Sequence, residues 1–229
     1  MKNKLTCILL FSRSAASESK RKQLTMDHSA NAQLHDVLYN RVVNTISKSS
    51  LPVLRIDEHQ QVGNTFGERF YNAIAIAFNC GFENVIAVGS DCPSLRLADI
   101  QYAQQELKAG RICLGPSVDG GVYLMSISKT LFTSSFKQLP WRTATLANKL
   151  CNLFTALGAQ VSFLAKKQDV DNKTQLNTIA YFLIKQLGIN TLLFRSDTQS
   201  QVEHVLPLID RLYDERLSLR GPPSLSQAA

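Results

Sequence analysis

The sequence predicts an α/β protein in which helices cover both faces of a mostly parallel sheet. Apolar β-branched runs alternate with amphipathic helical segments, which is the order typical of such sheets. The runs also lack the polar alternation of a half-exposed strand. With 229 residues, 45% of them hydrophobic, the chain can bury one substantial core. We therefore expect one main domain over residues 1–188 and a C-terminal extension over residues 189–229.

Strand and helix patterns alternate through the first half of the chain. In the helical segments apolar residues recur every three or four positions, and Gly81 can end the second helix. The predicted elements are a strand at Leu5–Phe11, a polar stretch at Ser12–Ser29, a helix with Leu34, Val37, Leu38, Val42 and Ile46 on one stripe, a strand at Pro52–Ile56, a helix from Phe66 to Phe78, a strand at Asn84–Gly89 and a helix at Leu97–Leu107.

The same alternation continues through the second half. Thr143 is predicted to cap a helix that Gly158 ends. The predicted elements are strands at Ile112–Leu114 and Val122–Ile127, a helix with Leu146, Leu150, Leu153 and Leu157 inward, a strand at Val161–Leu164, and a helix with Leu176, Ile179, Leu183 and Leu187. Beyond Gly188, residues 198–217 can form an amphipathic helix, and residues 221–229 have the composition of a disordered tail.

Composition and charge narrow the class of partner. The formal net charge of +7 favours an anionic ligand, but the basic residues are scattered and no nucleic-acid reader motif is present. We expect no nucleic-acid partner. The five cysteines form no Cys-x-x-Cys pair, which is typical of reduced thiols in a cytoplasmic protein. No segment is apolar enough to span a membrane, and Leu5–Phe11 is interpreted as a core strand rather than a secretory signal.

Asp91 is placed where a buried strand gives way to a helix. It follows Asn84–Gly89 and precedes Leu97–Leu107. In open α/β sheets the carboxyl ends of the strands form the ligand crevice, so this position offers a carboxylate to a ligand. A lone aspartate at this point is also typical of a helix cap. The spacing leaves both interpretations open.

Further acidic residues follow other predicted strands. Asp119 lies in a glycine-rich loop, and Asp169 and Asp171 follow the last clear strand. Carboxylate oxygens gathered at one edge of a sheet suit Mg²⁺ or Mn²⁺, which in turn binds phosphate oxygens. Gly120 and Gly121 can allow the backbone to approach a ligand, or can serve a tight bend before the next strand.

Five motifs follow one another along the chain. They are Gly63-Asn64-Thr65-Phe66-Gly67-Glu68-Arg69, Val88-Gly89-Ser90-Asp91-Cys92-Pro93-Ser94-Leu95, Leu114-Gly115-Pro116-Ser117-Val118-Asp119-Gly120-Gly121-Val122-Tyr123-Leu124, Leu139-Pro140-Trp141-Arg142-Thr143-Ala144-Thr145 and Asp169-Val170-Asp171-Asn172. Together they closely resemble the family named domain of unknown function 2064 (DUF2064), whose members are described as GT-A-like glycosyltransferases or as transferases accompanying radical-SAM genes. The resemblance covers residues 1 to about 185, most of the chain.

The resemblance implies the GT-A-like fold of the nucleotide-diphospho-sugar transferases, a three-layer α/β/α sandwich with a mostly parallel central sheet. It implies that Asp91 holds a Mg²⁺ or Mn²⁺ ion bound to the nucleotide, and that Asp169 or Asp171 completes the ion's coordination. Of these two we favour Asp171, because a turn at Asp171-Asn172 projects only the nearer side chain into the crevice.

The other site residues expected from the resemblance lie around this ion. Asp119 would face the acceptor or sugar and orient or deprotonate the acceptor hydroxyl. Gly120, Gly121 and Trp141 would lie on the acceptor side, although Trp141 is also placed to fix the start of a helix on the core. Ser90 is expected near the nucleotide phosphates.

The stretch after the first strand departs from the family pattern. Family members have a glycine-containing basic loop there, of the kind Pro-Gly-x-x-Lys-Thr-Arg-Leu, whereas residues 12–24 of this chain contain no glycine. Such a loop cannot easily turn several backbone amides toward a phosphate. The positive charge is retained in Arg13, Lys20, Arg21 and Lys22, which are therefore the expected phosphate contacts.

Three functions follow from these observations. The first is a cytoplasmic, metal-dependent transferase that uses a nucleotide-activated sugar and an unknown small-molecule acceptor. The second is nucleotidyl transfer to a phosphorylated small molecule, in which pyrophosphate leaves. The third is a catalytically silent protein that binds a nucleotide or a partner. The sequence does not identify the base, the sugar, the acceptor or the oligomeric state.

Overall fold

A computed structural model of the chain describes residues 5–177. The strands are β1 (Thr6–Phe11), β2 (Val53–Ile56), β3 (Asn84–Val88), β4 (Ile112–Pro116), β5 (Val122–Ser128) and β6 (Val161–Phe163), and the helices are α1 (Ala15–Ser19), α2 (His28–Ser47), α3 (Phe66–Asn79), α4 (Leu97–Lys108) and α5 (Leu146–Ala156). Two 3-10 turns, Lys129–Leu131 and Ser134–Gln138, follow β5. The predicted extension over residues 189–229 and most of the last predicted helix lie outside the described residues.

The six strands form one sheet in the order β2-β1-β3-β5-β4-β6. The pairs β1–β2, β1–β3 and β4–β6 are parallel, while β5 runs antiparallel to both of its neighbours. The short connection at residues 117–121 explains the reversal, because a parallel crossover needs a dozen or more residues. The mostly parallel α/β sheet expected from the sequence is confirmed.

The core lies on both faces of this sheet. Every residue of β3 and β4 is buried, and because successive side chains of a strand point to opposite faces, both faces must be covered. Helices α3, α4 and α5 contact these central strands. Within residues 5–177 no helix is both long and apolar enough to cross a membrane.

Most predicted elements are confirmed within one or two residues. Two expectations for α5 are wrong: its predicted cap, and the inward position of Leu157, which is exposed while Phe154 is buried. Helix α5 begins after Thr145 rather than at Thr143, and Thr143 Oγ1 instead donates to the backbone oxygen of Pro140 at 2.7 Å. A positive φ of 64° at Arg142 turns the chain just before the helix. The polar stretch after β1 contains a helix, α1, whose N-cap is Ser14.

The start of α1 is fixed by a distant residue. The backbone amide of Ser14 donates to Glu58 Oε2, and its hydroxyl donates to Glu58 Oε1, both at 2.7 Å. Burial opposes ionisation of Glu58, but these hydrogen bonds outweigh it and lower the pKa of Glu58 to about 2. The contact therefore favours the ionised carboxylate and ties the stretch after β1 to the loop after β2.

Candidate functional site

A cavity of about 680 Å³ opens at the carboxyl edge of the sheet. Parallel strands β1 and β3 end there, at Phe11 and Val88, and the loop before β5 reaches the same edge because β5 runs in the opposite direction. The volume lies in the range typical of small-molecule sites. The predicted site residues that line the cavity are Arg13, Arg21, Lys22, Ser90, Asp91, Asp119, Gly121, Trp141, Asp169 and Asp171.

Asp91 belongs to a cluster of charges and does not cap α4. The N-cap of α4 is Arg96, so the helix-cap interpretation is excluded. Asp91 Oδ2 lies 2.8 Å from Lys22 Nζ, and Asp171 Oδ1 lies 2.8 Å from the same nitrogen. Glu18 Oε2 is 3.4 Å away from it. The structure therefore places the lysine ammonium among three carboxylates.

The two aspartates favour the charged form of Lys22. Burial of Lys22 disfavours its charged form, but the neighbouring Asp91 and Asp171 outweigh that effect and raise the pKa of Lys22 above its usual value. The ammonium is therefore protonated at neutral pH. Lys22 was expected to contact phosphate, and in this structure its direct partners are carboxylates.

Asp169 also faces the cavity, together with Asp171. The amide of the intervening Val170 donates to the backbone oxygen of Asp91 at 2.8 Å, which holds the segment against the end of β3. Oδ1 of Asp169 is buried and makes no hydrogen bond. Burial, followed by the negative charges of Asp91, Asp119 and Asp171, raises the pKa of Asp169 to about 7. The sequence favours Asp171 alone as the side chain that projects into the crevice, whereas Asp169 and Asp171 both line the cavity.

Asp119 is oriented by its own loop. Oδ1 of Asp119 accepts hydrogen bonds from the Ser117 hydroxyl and from the Gly121 amide, the latter at 3.0 Å. The side chain is exposed at the mouth of the cavity. These two hydrogen bonds hold the Asp119 carboxylate in one orientation.

Gly120 contacts the protein rather than the cavity. Its φ is 88°, and a Cβ at this position would overlap the carbonyl oxygen of Ala144. Its own carbonyl accepts a hydrogen bond from the Ala147 amide at 3.0 Å. Gly120 was expected on the acceptor side, but the loop packs on the start of α5, and of the two glycines only Gly121 lines the cavity.

The basic residues after β1 separate into distinct groups. Lys20 is exposed and does not line the cavity, since it directly follows α1 on the outer surface, so its expected phosphate contact is not supported. Arg21 is exposed and lines the cavity. Arg13 also lines it and lies 3.6 Å from Glu18, measured from Nε to Oε1.

Three further charged residues line the cavity without having been assigned to it from the sequence. They are Glu18, Arg69 and Arg142. Glu18 precedes Lys22 by four residues, a spacing typical of ion pairs, so a signal for it existed. Arg69 is part of the Gly-Glu-Arg motif. Arg142 is part of the motif at residues 139–145, and the turn before α5 brings it to the cavity.

One wall of the cavity is aromatic. Trp141 packs against Phe70, with ring centroids 4.8 Å apart, and against Phe66 at 5.6 Å. The indole Nε1 donates to the backbone oxygen of Phe136 at 2.7 Å. Trp141 therefore attaches the segment before α5 to the start of α3, and it presents part of its ring to the cavity.

The residues as arranged do not fit a divalent ion. Mg²⁺ and Mn²⁺ require direct contact with carboxylate oxygens, and the space between Asp91 and Asp171 is filled by Lys22 Nζ. Among residues 5–177, no group of three or more His, Cys, Asp or Glu side chains has an arrangement that could hold a metal ion. We therefore derive no chemical step through a metal.

Comparisons with known proteins agree with the fold. The chain is similar to a "putative nucleotide-diphospho-sugar transferase" from Desulfovibrio desulfuricans G20, with 21% identity, a TM-score of 0.67, and coverage of 92% of this chain and 97% of that one. It is also similar to a 4-diphosphocytidyl-2C-methyl-D-erythritol synthase from Anaerococcus prevotii DSM 20548, with 8% identity, a TM-score of 0.51, and coverage of 79% and 98%. No curated protein matches the chain.

The family comparison agrees with the motifs. Residues 51–143 match the model of the family described as "Uncharacterized protein conserved in bacteria (DUF2064)". This segment is shorter than the resemblance expected from the sequence and excludes both the stretch after β1 and the Asp169-Val170-Asp171-Asn172 motif. The resemblance is confirmed over residues 51–143, which match the DUF2064 model, and the α/β fold is similar to that of the nucleotide-diphospho-sugar transferase compared above.

Proposed function

We propose that the chain is a transferase that binds a nucleotide-activated sugar in the cavity at the carboxyl edge of the sheet and passes the glycosyl group to a small acceptor. The observation that supports this most is the pairing of cations with an oriented carboxylate in one cavity of about 680 Å³. The likeness to nucleotide-diphospho-sugar transferases supports the fold that such a reaction uses. We further propose that the protein acts in the cytoplasm.

The cations of the cavity suit a diphosphate. Arg13, Arg21, Arg69 and Arg142 all line it. A guanidinium group binds phosphate oxygens through two parallel hydrogen bonds, so a few such residues both neutralise and orient a diphosphate. These charges would stabilise the nucleoside diphosphate as it leaves.

Asp119 suits the acceptor. In the proposed reaction the acceptor oxygen attacks the anomeric carbon, the bond between that carbon and the diphosphate oxygen breaks, and the acceptor proton passes to Asp119. The bonds to Oδ1 hold the carboxylate in one orientation before the acceptor arrives. The aromatic wall of Phe66, Phe70 and Trp141 offers apolar surface to a ring of the donor or acceptor.

The test is a turnover screen on the purified full-length chain. The protein is incubated with common nucleotide sugars and nucleoside triphosphates, with and without Mn²⁺ and with candidate acceptors, and release of nucleoside diphosphate or pyrophosphate is measured beside thermal shift. Diphosphate release supports glycosyl transfer. Pyrophosphate release would instead indicate nucleotidyl transfer, and binding without turnover would indicate a silent binding protein.

Two variants test whether Asp119 is the base of the proposed reaction. Asp119→Asn keeps the shape of the side chain and removes its basicity, so turnover is expected to fall by about 10²–10⁴-fold while donor affinity changes little. Asp36→Asn is the matched control, because Asp36 is exposed on α2 and does not line the cavity. Full turnover in Asp119→Asn would remove Asp119 from the reaction.

A further inference from the structure

We infer that Lys22 is a resident cation of the site: its ammonium takes the place between Asp91 and Asp171 that a divalent ion was expected to take. Two consequences follow. The wild-type site binds free Mn²⁺ poorly, and nucleoside diphosphates bind without a divalent ion. The second consequence rests on the proposed function, whereas the first does not.

The ammonium is enclosed rather than placed on the surface. Its two close contacts are 2.8 Å each, to Asp91 Oδ2 and Asp171 Oδ1, and Glu18 Oε2 lies at 3.4 Å. The Lys22 side chain is 18% exposed. An isolated surface ion pair contributes little because water screens it, but this nitrogen is close to three carboxylates at once and is largely withdrawn from solvent.

The fold builds the position of Lys22 through its backbone. The Lys22 amide donates to the backbone oxygen of Glu18 at 2.8 Å. Its backbone oxygen accepts from Asn31 Nδ2 at 3.1 Å and lies 2.9 Å from His35 Nε2. Asn31 and His35 are buried polar residues of α2, at 2% and 7% exposure. Buried polar side chains of this kind are costly unless their hydrogen bonds are satisfied, so they hold the Lys22 backbone in one place.

The sequence of this stretch agrees with such a role. Residues 12–24 lack the glycine that would let backbone amides cradle a phosphate, and they lie outside the matched segment 51–143. In place of amides the stretch supplies side-chain charge to the cavity. Lys22 neutralises the acids that would otherwise repel a diphosphate, and Arg13 and Arg21 remain at the cavity to contact it.

A divalent ion would have to displace this lysine. It needs oxygens of Asp91 and Asp171 that now contact Lys22 Nζ, and it would then lie next to a positive charge anchored by α2. Removal of the lysine leaves several carboxylates without their counter-ion, an arrangement that attracts a hard cation. Compared with wild type, a variant with a neutral side chain at position 22 is thus expected to bind the divalent ion more tightly. In the absence of the ion, it is expected to bind a nucleoside diphosphate more weakly.

The first experiment uses Mn²⁺ alone. Free Mn²⁺ is measured by electron paramagnetic resonance during titration of wild type, Lys22→Met and Lys20→Ala. Lys22→Met keeps most of the side-chain length without the charge, and Lys20→Ala removes a nearby exposed charge that does not line the cavity. We expect Lys22→Met to bind Mn²⁺ about tenfold or more tighter than wild type, since one charge-assisted contact corresponds to at least that factor. Lys20→Ala should match wild type. Equal Mn²⁺ affinity in wild type and a folded Lys22→Met would overturn the inference.

The second experiment measures affinity for UDP, CDP and GDP by calorimetry, in EDTA and in Mn²⁺. For the diphosphate that binds, wild type should show the same affinity in both buffers, whereas Lys22→Met should lose about tenfold in EDTA and recover in Mn²⁺. A wild-type requirement for Mn²⁺ would overturn the inference, and this arm needs no variant to fold. If none of the three binds wild type in either buffer, the proposed function fails, and the Mn²⁺ titration still decides the role of Lys22.

Discussion

Replacing Gly120 by alanine is expected to destabilise the protein by disturbing the contact between the 117–121 loop and the start of α5. The added Cβ would overlap the Ala144 carbonyl oxygen and lie 2.7 Å from Ala144 Cα. Both partners are backbone atoms, so no side chain can rotate away. The loop must move, and the hydrogen bond from the Ala147 amide to the Gly120 oxygen is strained or lost.

Gly81 is a matched control that separates the loss of stability caused by packing from the loss caused by the backbone conformation. Gly81 has a φ of 92°, close to the 88° of Gly120, but its Cβ would meet no atom within 4 Å. Alanine at either position costs about 1–2 kcal/mol for the left-handed backbone, partly offset by about 0.4–1 kcal/mol from the stiffer unfolded chain. Only Gly120→Ala adds about 1–3 kcal/mol of overpacking and about 1 kcal/mol for the hydrogen bond. Gly120→Ala should therefore lose about 2–4 kcal/mol more than Gly81→Ala.

The assay is equilibrium unfolding in urea for wild type and the two variants, followed by circular dichroism. Donor affinity and turnover are measured in parallel, because movement of the loop also moves Asp119 and should reduce turnover more than donor binding. A Gly120→Ala protein as stable as Gly81→Ala would show that the loop adjusts freely, and the packing argument would be refuted.

Three further predictions test other contacts. Trp141→Phe should lower stability by about 1–3 kcal/mol and leave donor affinity nearly unchanged, because it removes an indole hydrogen bond and buried ring contacts; a stable variant with strongly reduced affinity would assign Trp141 to ligand binding. Glu58→Gln should cost about 1–2 kcal/mol at neutral pH. The folded-state pKa of Glu58 is lowered from 4.5 to about 2, so this stabilisation is present above pH 4.5 and is lost as the pH falls toward 2. Urea unfolding across this pH range measures the difference in free energy of unfolding between wild type and Glu58→Gln. A difference that stays constant over the range would contradict the assignment. Arg21→Ala should weaken diphosphate binding by about tenfold in calorimetry, whereas Lys20→Ala should not, and equal effects would place both residues on the solvated surface.

The sequence by itself determined the order of most elements and the edge of the sheet at which the cavity lies. The patterns that predict β3 and α4 are local, since they depend on residues a few positions apart, and they place Asp91 between a buried strand and a helix. The parallel arrangement of β1 and β3 then requires their carboxyl ends to meet.

Only the tertiary structure decided which side chains meet at that edge and what they do there. The contacts of Lys22 with Asp91 and Asp171, of Ser14 with Glu58, and of Gly120 with Ala144 all join segments far apart in the chain. No local pattern encodes them, because each depends on how the loops after different strands pack together once the sheet order is set. For this reason the sequence predicts a phosphate contact for Lys22, whereas the fold places its charge between two carboxylates.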